Sequence, residues 1–270
     1  MNKIAYKFRI FKNVIVNTVR FNLWKATFRK IFRQNSNDLL SKPALNWYES
    51  EAISIPQFAN ENNIPIDDSV ITEQMNAITK KREEDKESLQ NNKRPKRTRM
   101  GGFANVPFVY SIVKEMKKKY CLECGVSMGA SSYAILKALD QNKEGILLSN
   151  DLPYLWNSDP VSKIGMLVPD DLKKRWRLYI GDDIDNLSEM LKEIKLIDFA
   201  HYDSNKSYVA RSFFWDALSP HLTNDSLVVF DDIIDNDHFY DLANNLNDSW
   251  KSYVIFDDLK YIGILKNDNA

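Results

Sequence analysis

From residue 119 onward, five short apolar runs each stop at an acidic residue, and helical patterns fill most of the gaps between them. Residues 119–123 end at Glu123, 145–150 at Asp151, 176–180 at Gly181-Asp182-Asp183, 196–202 at Asp203, and 226–230 at Asp231-Asp232. Helical periodicity runs from Tyr133 to Leu139, from Asn186 to Ile194 and from Tyr208 to Ala217, and a leading helix over 103–118 places Val109, Ile112, Val113 and Met116 on one face. A strand that reaches its neighbour through a helix returns in the same direction, so the pattern predicts a doubly wound α/β fold with a parallel sheet. The carboxyl ends of such strands share one edge, and ligands bind there. One acid after a strand is a common turn former; five along one edge point to a site. Two final runs, Ser252 to Phe256 and Tyr261 to Leu265, are spaced to pair as an antiparallel hairpin, which brings the predicted sheet to seven strands, mostly parallel.

The first strand leads into Glu123-Cys124-Gly125-Val126-Ser127-Met128-Gly129-Ala130-Ser131-Ser132. Glycines four apart allow positive φ and close backbone approach, and the N–H groups opening the next helix offer donors and a positive dipole end to a carboxylate or phosphate. Glu123 stands where it would accept hydrogen bonds from a ligand's ammonium or hydroxyl groups. The stretch reads as a nucleotide-binding turn, although a tight connection of purely structural purpose also wants two glycines.

Cys121 and Cys124 are the only cysteines. A zinc site needs two further ligands and the three histidines are scattered, while a redox pair opens a helix and Cys121 lies inside the apolar strand. Buried packing is the better reading, with no disulfide framework and a reducing compartment. The formal net charge is zero, so the chain as a whole is not built for polyanions, and no module for reading nucleic acid follows its basic start. With no apolar run of about 18 residues and no signal-peptide core, the expected location is cytoplasmic.

Charge is nevertheless unevenly placed. Residues 1–33 carry nine lysines and arginines and no acid, interleaved with Phe8, Phe11, Ile15, Val19, Trp24 and Phe28 at helical spacing. Such a helix suits peripheral docking on an anionic lipid surface, at the inner face of a membrane, and equally suits packing on its own domain or on a second subunit of a homo-oligomer. Residues 34–75, punctuated by Lys42-Pro43, Ile55-Pro56 and Ile64-Pro65, read as short helices joined by turns. A highly charged stretch over 76–92 follows, and Lys93-Arg94-Pro95-Lys96-Arg97-Thr98-Arg99 reads as a solvated linker, with steering of an anionic substrate as the alternative. The chain therefore divides into a basic helical extension and linker, 1–99, and a ligand-binding domain, 100–270.

Over about residues 100–265 these features resemble class I S-adenosylmethionine-dependent methyltransferases, and within them the metal-assisted O-methyltransferases that include catechol O-methyltransferase and enzymes modifying sugars and macrolide sugars. The resemblance implies a Rossmann-like domain in which Glu123, Gly125 and Gly129 hold the methionine end of the cofactor, with Val126 and Ser131 also binding it. Asp151 matches the acid that binds the ribose hydroxyls, and Gly181-Asp182-Asp183 is similar to the turn bordering the adenine. Asp203-Ser204-Asn205-Lys206 and Asp231-Asp232 look like the segments that supply magnesium ligands and a lysine base, which would make Asp203, Asp231 and Asp232 metal ligands and Lys206 the base. His238 is the alternative base, His201 and His221 are read as structural, and Tyr154 and Trp156 either wall the site or simply pack. The sequence departs from the family at Leu222-Thr223-Asn224-Asp225, where a turn with a glycine pair is usual, and in its second acid, Asp232.

The implied function is Mg²⁺-assisted methyl transfer to a hydroxyl of a sugar or small polyol, in the making of a cell-surface glycan. Transfer from a sulfonium is an in-line displacement that wants an anionic, well-held oxygen, and a hard cation with oxygen ligands provides both. Two other readings stand beside it. One is a dinucleotide-dependent oxidoreductase, which would want Gly-x-Gly-x-x-Gly in the first turn; the other is a non-catalytic module that binds a partner through residues 1–99.

Overall fold

The computed structural model describes residues 3–32, 39–67, 69, 106–257 and 260–268. The charged stretch over 76–92, the basic run Lys93–Arg99 and the boundary at residue 100 lie outside these residues. In chain order the elements are α1 (Lys3–Arg20), α2 (Trp24–Phe32), α3 (Lys42–Glu51), β1 (Ala52–Ile53), α4 (Ile55–Glu61), α5 (Val106–Glu115), β2 (Tyr120–Cys124), α6 (Ala130–Asn142) and β3 (Ile146–Asp151). There follow β4 (Trp176–Ile180), α7 (Asp183–Glu193), β5 (Ile197–Tyr202), α8 (Tyr208–Leu218), β6 (Leu222–Phe230), α9 (His238–Asn245), β7 (Trp250–Asp257) and β8 (Lys260–Asn267).

The alternation of strand and helix holds except between β3 and β4, which no α-helix separates. Strands β2 to β6 pair in parallel in the order β6-β5-β2-β3-β4, and β7 and β8 form the antiparallel hairpin beside β6. The sheet has eight strands, one more than the sequence pattern predicts, because Ala52 and Ile53 pair in parallel with Val254 and Ile255 of β7. Two residues show no alternation, so this strand has no periodic signature. It is held in place by the helices on either side, which begin as their sequence dictates: Ser41 and Ser54 cap α3 and α4, and each helix has proline in its first turn.

Side chains alternate across the sheet into two cores. Cys121, Leu147, Phe199 and Leu227 face Phe58, α5 and α6, while Leu122, Cys124, Leu148, Ala200 and Val228 face Tyr48, Leu187 and Phe214. The two cysteines thus point to opposite faces, free and buried, and burial pushes both thiols up, as the packing reading requires. Strand β6 starts four residues earlier than its apolar run. Asn224 and Asp225 lie in the strand instead of a turn, and the buried Lys118 ammonium meets Asp225 at 3.1 Å, so no glycine pair is needed there.

Tyr48 ties the early helices to the rest of the fold. Its buried hydroxyl donates to the Asn236 carbonyl at 3.2 Å and accepts from the Tyr240 N–H at 3.0 Å. Tyr48→Phe leaves that carbonyl and that N–H without their partner, and unfolding in urea should show a loss of about 1–3 kcal/mol with an unchanged slope.

Candidate active site

The sheet order reverses between β2 and β5, and there the loops leaving β2, β5 and β6 meet. Tyr202 at the end of β5 lies opposite Phe230 at the end of β6, so the chain leaves both strands at one level. The Asp231 N–H donates to the Tyr202 carbonyl at 3.0 Å, and the Asp203 N–H donates to the Cys124 carbonyl at 2.8 Å. Gly125, with φ at +95°, abuts the same loop: a Cβ there would sit 2.3 Å from the Asp203 carbonyl oxygen. A side chain does not fit, whatever its chemistry.

This backbone frame brings Asp203, Asp231 and Asp232 together, each offering a carboxylate oxygen within 4.8 Å of the others. Asp232 takes the left-handed conformation, φ 52°, which aspartate tolerates better than most residues. Lys206, one turn after Asp203, presses its ammonium against that carboxylate and lies 3.7 Å from Asp231 and 3.5 Å from Asp232. From β8, Lys260 reaches Asp231 at 2.8 Å. Burial pushes the Asp231 carboxyl up, but Lys206 and Lys260 outweigh it and hold the group below the ordinary carboxylate range. At Asp203 burial also pushes up, and Lys206, opposed by repulsion from Asp231, does not bring the group back. Three carboxylate side chains thus converge from two neighbouring strand ends. A compact dication that prefers hard oxygen ligands, such as Mg²⁺, fits that donor set.

Two residues that the sequence did not single out lock the cluster's backbone. Arg211 of α8 is fully buried and donates to the Asp231 carbonyl at 3.0 Å, the Asp232 carbonyl at 2.6 Å and Asn236 Oδ1 at 3.2 Å. Asn236 in turn donates to the Lys206 carbonyl at 2.8 Å. The signal for Arg211 was present: it precedes Phe214 and Leu218 by three and seven residues, on the buried stripe of its helix.

The residues assigned to the cofactor are placed less openly. Glu123 is fully buried, and its oxygens accept from Ser131 and Ser132 at 2.5 Å and Ser149 at 2.8 Å, so the carboxylate braces the turn from inside. Asp151 accepts from the Ser127 N–H at 2.7 Å. Val126 is buried in the core, and Gly129 makes room for Gly165, whose Cα would lie 2.8 Å from a Cβ at 129. Asp182 caps α7 and accepts two hydrogen bonds of 2.7 Å from Arg29 of α2, while buried Asp183 accepts from Asn150, Tyr202 and Ser204. All of them line the same edge of the sheet.

His238 opens α9 with its ring edge-on to Tyr208 and tilted against Phe230. Its Nδ1 has no hydrogen-bond partner among the described residues, and burial, with Arg211 adding to it, lowers its pKa to about 4. The imidazole is therefore neutral near pH 7 and a weaker base than an exposed histidine. His201 lies buried in β5, 3.8 Å from Glu123, as a structural reading expects.

Residues 122–233, from β2 to just past β6, match the family described as a methyltransferase domain. No protein of curated function matches the chain by sequence. Among solved structures the fold is similar to the O-methyltransferase from Bacillus cereus in complex with SAH, at 16% identity and a TM-score of 0.51, covering 82% of this chain and 100% of that one. It is also similar to cofactor-bound Rv0187 from MTB, at 10% identity and a TM-score of 0.50, covering 63% of this chain and 84% of that one.

The depressed pKa of His238 has a measurable consequence. Above its ordinary value of 6.5 folded and unfolded chains both carry it neutral; as the pH falls from 6.5 to about 4, only the unfolded chain takes up the proton. Stability should decline over that window by on the order of 3 kcal/mol more in the native protein than in His238→Gln, as read by denaturant unfolding at each pH.

Proposed function

We propose, from the match of residues 122–233 to a methyltransferase-domain family, that the chain is a Mg²⁺-assisted, S-adenosylmethionine-dependent O-methyltransferase acting on a hydroxyl of a sugar or small polyol. The observation that carries this reading is the convergence of Asp203, Asp231 and Asp232 at the point where the sheet order reverses. Bound there, Mg²⁺ would hold the acceptor oxygen and favour its anionic form, and a hard cation can take two adjacent hydroxyls at once.

The protein's own residues then have separable tasks. Asp203, Asp231 and Asp232 fix where the acceptor sits, and Arg211 with Asn236 keeps their loops in register. Lys206 stands among all three carboxylates and, in its neutral amine form, is the group placed to receive the hydroxyl proton; Lys260 balances the charge of Asp231. The donor belongs at the neighbouring turn, Gly125 to Gly129, where α6 begins. A polyol acceptor connects the reaction to the making of surface glycans. A dinucleotide-dependent oxidoreductase is the weaker reading, because the first turn has no Gly-x-Gly-x-x-Gly to cradle a pyrophosphate.

Calorimetric titration should show binding of S-adenosylmethionine and none of NAD. With a polyol acceptor, Asp203→Asn and Asp231→Asn should each lower kcat about 10²–10³-fold, with donor affinity changed only a few-fold. Chelation should stop turnover and Mg²⁺ restore it; methyl transfer indifferent to chelator would refute the metal-assisted mechanism.

A further inference from the structure

The first helix is amphipathic the wrong way round for water. Its inner side is polar: Asn17 donates to the carbonyls of Leu155 and Asn157 at 2.8 Å, and Asn13 to that of Trp156 at 2.9 Å. Its outer side carries Phe8, Phe11, Ile15 and Val19, spaced three or four residues apart and 44 to 69% exposed, and α2 continues that surface with Trp24 and Phe28. Apolar side chains on successive helical turns of an outward face mark an interaction surface.

Charge decides what covers it. Lys7, Lys12, Arg20 and Lys25 are exposed around these side chains, and the sequence has no acidic residue before Asp38. Two copies of the chain meeting through this face would set cations against cations with no carboxylate from either helix between them. An anionic lipid surface supplies what is missing, acyl chains for the aromatic side chains and headgroup charge for the lysines and arginines. Among the described residues no helix is long and apolar enough to cross a membrane, and the 18 residues of α1 have the length and two-sided character that suit a helix lying along the interface instead.

We propose that α1 and α2 form a peripheral docking surface for anionic phospholipid bilayers, with Phe8, Phe11, Ile15 and Val19 seated among the headgroups. The inner sides of the same helices rest on the loop after β3 and, through Arg29, on Asp182, so docking sets the carboxyl edge of the sheet beside the bilayer. The proposal rests on these helices alone and stands apart from the methyl-transfer reading.

Sedimentation of the full chain with vesicles tests it. Vesicles of phosphatidylcholine with about one-third phosphatidylglycerol should bind the protein at least about tenfold more strongly than phosphatidylcholine alone, and raised salt should remove most of the difference. Phe11→Ser with Ile15→Ser should weaken binding about tenfold on the anionic vesicles, and Lys7→Gln with Lys12→Gln should erase the preference between vesicles; circular dichroism checks that the variants fold. Equal binding to both vesicles, or none, overturns the proposal. So does a dimer seen by light scattering that Phe11→Ser with Ile15→Ser dissociates, because the face would then belong to a second copy. The salt dependence of the native protein needs no variant and stands by itself.

Discussion

A buried guanidinium holds this site together. Arg211 has no exposed surface, and removing a charge from water costs several kcal/mol unless hydrogen bonds replace the lost hydration. Its replacements are the carbonyls of Asp231 and Asp232 and the side chain of Asn236, all in the segment after β6. Burial lowers its pKa, so the arginine gains from having that carbonyl-rich loop in place. The loop is held in turn, since a different path would strand the guanidinium. Asp231 and Asp232 therefore point where they do because of a cation on their backbone side, and Lys206 and Lys260 meet them from the side-chain side. A cluster of carboxylates that would otherwise repel is kept within a few ångströms by positive charge placed behind and beside it.

Much of this was legible before any coordinates. Parallel strands put all their carboxyl ends on one edge, so Asp203 and Asp231, 28 positions apart, had to become neighbours once the alternation of strand and helix was recognised. Lys206 came with Asp203 because it lies on the same loop. Lys260 did not, because it reaches Asp231 only through the antiparallel return of β8. The hydrogen bonds around Glu123 were hidden for a related reason: Ser131 and Ser132 lie close by in the chain, yet nothing in their order says that their hydroxyls fold back onto the carboxylate, and Ser149 comes from a separate strand. Local periodicity reveals the strands, and topology reveals which ends meet. Side-chain saturation inside the core follows from neither.

The early part of the chain shows the same division. Ser41, Pro43, Ser54 and Pro56 announce two short helices, but not that the pair of residues between α3 and α4 would extend the sheet. Tyr48 and Phe58 are wholly buried on opposite faces of that sheet, so this segment is part of the core that positions the site. Ahead of it, α1 and α2 meet the rest of the fold through Asn13, Asn17 and Arg29 and leave Phe8, Phe11, Ile15, Val19, Trp24 and Phe28 exposed.

The contact between Gly125 and the Asp203 carbonyl joins the proposed donor turn to the carboxylate cluster through backbone alone. A shift of either loop by a fraction of an ångström is felt by the other, with no side chain to absorb it. Occupancy of the two halves is then thermodynamically linked: whatever factor a ligand at the turn adds to cation affinity, the cation must return to that ligand in equal measure.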